Sequence, residues 1–86
     1  MNENNERLAH IGIIVSDKTA AGAVNALLSS CAKYIVGRMG LPYEKRGVSI
    51  ISVIIDAPAD LINALCGKLN SLSGVTAKAL FRKEDV

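Results

Sequence analysis

Residues 34–56, YIVGRMGLPYEKRGVSIISVIID, decide the fold. Two apolar runs of strand-like composition flank a charged segment that ends in glycine, which is the pattern of a β-hairpin. With Lys45, Arg46 and Gly47 as a three-residue loop, Gly47 supplies the left-handed residue of the turn and Glu44 lies opposite Val48. That register sets Gly40 opposite Ser52 and Arg38 opposite Ile54. Opposed residues share a face, so Val36, Arg38 and Gly40 join Ile50, Ser52 and Ile54 on one side. Ile35, Met39 and Leu41 join Ile51, Val53 and Ile55 on the other, and this wholly apolar set is expected under helices. A two-residue turn would reverse the assignment. Pro42 interrupts the first run, and a proline within a strand belongs at a sheet edge.

Working outward, RLAHIGIIV (residues 7–15) alternates as a first strand, with Ile11, Ile13 and Val15 on one face and His10, Gly12 and Ile14 on the other. Ser16 and Asp17 form a helix-capping pair, and Ala20, Val24, Leu27, Leu28 and Cys31 then recur at helical spacing. The small residues from Ala20 to Ala23 are expected to let this helix approach the sheet closely. Beyond the hairpin, Pro58 suits a helix's first turn, and Leu61, Ile62, Leu65, Cys66 and Leu69 make an apolar stripe. Residues 75–81, VTAKALF, alternate as a last strand.

The order strand, helix, strand, strand, helix, strand predicts an α+β, ferredoxin-like (βαββαβ) sandwich. Two helices cover one face of a four-stranded antiparallel sheet, the first and third strands being expected in the centre as parallel neighbours. Residues 1–6 read as a disordered tail, 7–81 as a single domain and 82–86 as a frayed tail.

Eighty-six residues bury only about 60–65% of the unfolded surface, so a second copy is a natural source of further stability. Half the residues are hydrophobic but only three are aromatic, leaving an aliphatic core and little to stack a planar ligand. A formal charge of +2, with bases scattered among acids, argues against direct nucleic-acid binding. The polar start MNENNE is unlike a signal peptide, and no apolar run is long enough for a membrane span; the expected location is the cytoplasm. Cys31 and Cys66 read as reduced core thiols, since neither has a second Cys or a His at ligand spacing. No metal or cofactor is expected.

The third strand is apolar on both sides, whereas an antiparallel sheet with one wet face should alternate. Something is therefore expected to cover the open face, where Ile14, Val36, Ile50 and Ile54 form the candidate oligomer interface, with Leu80 beside them. His10, Arg38, Gly40 and Ser52 are placed there as candidate ligand-binding or interface residues, and Lys78 among the polar residues of that face. No aromatics lie on the central strands for base stacking, no CxxC follows the first strand for copper, and two cysteines are too few for an iron–sulfur cluster. A rival reading, a small accessory enzyme or assembly protein, would rest on Arg38, His10 and Cys66; a third is a structural adaptor for one protein partner.

The segments HIGIIVSD, IVGRMGLPY, GVSIISVIID and LCGKL together resemble the small ACT-like regulators of the iron-only hydrogenase system over about residues 8–81. The chain is also similar to the C-terminal sensing domain of the nickel-responsive repressor, without its histidine set and without a DNA-binding segment ahead of residue 7. The resemblance implies an ACT-type fold, a regulatory or ligand-sensing role without catalysis in an anaerobic bacterium, and dimers or tetramers that respond to a small-molecule effector or a protein partner. It points to the first turn as a further ligand-binding candidate, through Ser16, Asp17 and Gly22.

Overall fold

A computed structural model describes residues 6–83. In chain order the elements are β1 (Glu6–Val15), α1 (Ala21–Ser30), β2 (Ile35–Tyr43), β3 (Val48–Pro58), α2 (Ala59–Asn70) and β4 (Val75–Phe81), with 3-10 turns at Lys18–Ala20, Ala32–Tyr34 and Glu44–Arg46. β1 takes in Glu6 from the expected tail; residues 1–5 and 84–86 of the two expected tails lie outside the described residues. Arg82 is tied to the sheet, its N–H donating to the Leu8 carbonyl at 2.9 Å.

The four strands form one sheet in the order β2-β3-β1-β4, which puts Pro42 on an edge strand as the sequence requires. β1 and β3 are the central neighbours but run antiparallel, not parallel. The connectivity dictates this. The α1 crossover makes β1 and β2 parallel, the hairpin then reverses β3, and the α2 crossover leaves β4 antiparallel to β1 as well.

The hairpin register also departs from the three-residue loop. Glu44 enters a 3-10 turn that Gly47 closes at φ +67°, its N–H donating to the Glu44 carbonyl at 3.1 Å. The loop is thereby one residue longer, and Tyr43 pairs with Val48, Gly40 with Ile51, Met39 with Ser52 and Arg38 with Val53. Because side chains alternate with a period of two, one residue of slip moves each to the opposite face. Arg38 and Gly40 thus lie on the helix side, and Met39 and Leu41 on the open side. A bulge at Val36, between the Ile35–Ile55 and Gly37–Ile54 pairs, restores the parity so that Ile35 faces the helices as expected.

The core forms between the helices and the sheet. Ile11 and Ile13 of β1, Val53 and Ile55 of β3, Val24 and Leu28 of α1, and Ile62 and Leu69 of α2 have no solvent exposure. Each such side chain contributes roughly 1.5–3 kcal/mol of burial. The small residues at the start of α1 do not serve close packing: Ala21, Gly22 and Ala23 are exposed, and a Cβ at Gly22 would meet nothing within 4 Å. β2 is the least covered strand, with only Ile35 even half-buried.

Candidate functional site

The residues singled out from the sequence fall in three places. His10 and Ser52 lie on the open face, on the two central strands, and His10 Nε2 and Ser52 Oγ form a hydrogen bond of 2.9 Å. Around them the face is largely apolar. Ile14, Ile50, Ile54 and Leu80 are exposed there as expected, and the corrected register adds Met39, Leu41 and Tyr43. Leu80, Met39 and Leu41 are 71%, 67% and 56% exposed, so side chains that water disfavours stand in it across the full width of the sheet. Val36 is also exposed, at the β2 bulge. Methionine on this face is what the three-residue loop concealed.

The second place is the turn from β1 to α1. Asp17 caps the 3-10 turn, its Oδ1 accepting from Thr19 Oγ1 at 2.7 Å and from the Thr19 N–H at 3.0 Å. The side-chain bond first, and the backbone bond second, hold this carboxyl below its ordinary range. Ser16 donates its N–H to the Gly74 carbonyl at 2.7 Å, which joins this turn to the one before β4. Gly22 lies beyond, exposed in the first turn of α1.

The third is a cleft of about 410 Å³ on the helix side, between α1 and the uncovered β2. Arg38 and Gly40 line it from β2, Lys18 and Asn25 from the α1 side, and Ser49 and Ile51 from β3. Arg38 Nη2 donates to Asn25 Oδ1 at 2.8 Å, which holds the guanidinium over the opening. A Cβ at Gly40 would meet nothing within 4 Å, so the absent side chain leaves the cleft open. Lys18, Asn25 and Ser49 were not foreseen, because only the true register and the placement of α1 bring them to Arg38.

The sheet separates His10 from Arg38, and Cys66 sits half-buried in α2, its thiol pushed above its ordinary pKa by burial. The three residues on which an enzyme would rest are therefore not gathered in one site. Among the described residues no group of three or more His, Cys, Asp or Glu is placed to hold a metal. No described helix is long and apolar enough to cross a membrane.

An antiparallel β2-β3-β1-β4 sheet with two helices on one face and a bare apolar face opposite defines an α+β, ferredoxin-like domain of ACT type. The chain belongs to the family "TM1266-like: Iron-only hydrogenase system regulator, putative", which matches residues 7–79. Among solved structures it is similar to the uncharacterized protein TM1266 from Thermotoga maritima, with 33% identity, a TM-score of 0.87, and 91% of this chain and 99% of that one covered. A formyltetrahydrofolate deformylase from Pseudomonas putida shares the fold at 13% identity and a TM-score of 0.61, covering 84% of this chain and 28% of that one. An unknown protein from Galdieria sulphuraria does so at 12% identity and 0.64, over 94% and 48%. Comparison with curated proteins gave no match.

Proposed function

We propose that the chain is a homo-oligomeric ACT-like domain that senses a small molecule and regulates the iron-only hydrogenase system in the cytoplasm of an anaerobic bacterium, without catalysis of its own. The observation that carries this reading is the aliphatic open face, with Ile14, Met39, Leu41, Ile50, Ile54 and Leu80 all exposed. A second copy is its occupant. A two-fold interface needs a self-complementary patch, and this face is largely apolar and carries both an acid, Asp56, and a base, Lys78. The His10–Ser52 pair already satisfies one hydrogen bond of each group, as a polar pair must when it is covered. A ligand then acts by favouring one arrangement of subunits over another. Sedimentation velocity of the wild type and of Ile54→Asp tests the reading: the first is expected as a dimer or tetramer and the second as a folded monomer. A thermal-shift screen tests the sensing role, since a ligand at 100 times its Kd stabilises the native state by about 2.7 kcal/mol.

A further inference from the structure

The cleft between α1 and β2 has a chemistry that narrows what it can take. Its volume of about 410 Å³ lies within the roughly 300–1,000 Å³ of small-molecule sites. Two cationic side chains, Lys18 and Arg38, line it, and no acidic one does among the described residues. An anion entering here finds opposite charge on two sides, whereas a cation finds none.

Arg38 is already oriented. Its Nη2 is engaged by Asn25 Oδ1 at 2.8 Å, and the remaining N–H groups of the fork keep the planar geometry that pairs with a carboxylate through two parallel hydrogen bonds. Holding the guanidinium in place before a ligand arrives lowers the ordering cost of binding. Below it, Gly40 leaves the floor bare, and Ile51 gives that floor an aliphatic character. Among the described residues no aromatic side chain lines the cleft, so a nucleobase finds no ring there to stack on. The α-ammonium of an amino acid would meet no carboxylate among the described lining residues, only the neutral acceptors Asn25 Oδ1, already engaged by Arg38, and the Ser49 hydroxyl, and it would lie near two cations.

We propose that this cleft binds a short aliphatic dicarboxylate, one carboxylate on the Arg38 fork and the other towards Lys18, in preference to an amino acid or a nucleotide. The inference deepens the sensing role proposed above and rests on it, but it stands apart from the assembly of the chain.

Isothermal titration with succinate as the probe tests it, with leucine, AMP and inorganic phosphate as comparators. Saturable heat is expected for succinate, with at least about tenfold weaker affinity for each comparator and for Arg38→Gln, as loss of a charge-assisted hydrogen bond implies. Lys18→Gln, in an exposed turn, serves as a second variant should Arg38→Gln unfold, and the same loss is expected. No saturable binding of succinate at millimolar concentration would overturn the proposal. So would equal affinity for leucine, AMP or phosphate, or unchanged affinity in the variants. Sedimentation of the same samples keeps the two readings apart. A chain that assembles but ignores succinate contradicts only the cleft, and one that binds succinate as a monomer contradicts only the assembly.

Discussion

Gly74 lies so close to Asp17 that a Cβ on the glycine would stand 2.6 Å from the Asp17 Cβ and 3.1 Å from its backbone nitrogen. The glycine is also left-handed, at φ +75°. The two turns at this end of the sheet are thereby packed backbone to backbone, with the Ser16 N–H donating to the Gly74 carbonyl beside the contact. Gly74→Ala is expected to cost more than about 2 kcal/mol, of which about 1–2 kcal/mol is the left-handed backbone and the rest the collision. For a domain of this size that lowers Tm by roughly 10 °C, readable by thermal unfolding. Gly22→Ala is the opposite case, with negative φ and open space around it, and should stabilise α1 by about 0.5–1 kcal/mol.

Asn70, at the end of α2, completes the edge of β4. Its Nδ2 donates to the Ala77 carbonyl and its Oδ1 accepts from the Ala77 N–H, both at 2.8 Å, so the amide pairs with the strand as a neighbouring backbone would. Asn70→Ala is expected to cost roughly 1–2 kcal/mol in urea unfolding, with faster hydrogen exchange of the Ala77 amide. Asn70→Asp keeps the acceptor but turns a carboxylate on the Ala77 carbonyl. That variant should regain stability as pH falls and the acid acquires a proton to donate.

Two groups set expected pH dependences, of opposite sense. Asp17 is held below its ordinary range by Thr19, so the unfolded chain takes up its proton first on acidification; the contribution of this group is present at neutral pH and is lost as pH falls through its folded value. Asp17→Ala should remove that part of the acid sensitivity, and Asp17→Asn should keep the cap without it. The thiol of Cys66 is raised by burial, so the unfolded chain ionises first in the alkaline range and stability falls there with rising pH. The same shift predicts that iodoacetamide modifies Cys66 in the native protein more slowly than in the unfolded chain at the same mildly alkaline pH. An equal rate in the two states would contradict it.

The elements and the strand order were legible because they rest on periodicity. The alternation of VTAKALF, the helical spacing of Leu61 to Leu69 and the edge proline at position 42 each survive in the structure at the expected place. What periodicity does not carry is loop length to the residue. Glu44 reads as the last residue of a strand, yet it joins the 3-10 turn, and that single change carries Arg38 and Gly40 from the open face to the cleft. The parallel pairing of the central strands was an error of connectivity, correctable by following the chain through one crossover and one hairpin. Lys18, Asn25 and Ser49 carried no local signal at all. They meet Arg38 only because α1 and the corrected hairpin are packed on the same side of the sheet.

The open face remains the feature on which the proposed function turns. Ile54 sits at its centre, opposite His10 and 38% exposed, so a charge there leaves the helix-side core untouched. Sedimentation velocity at micromolar concentration is the most direct measurement. The account predicts a dimer or larger assembly for the wild type and a monomer with unchanged circular dichroism for Ile54→Asp. A monomeric wild type, or an Ile54→Asp variant that assembles as well as the wild type, would contradict it.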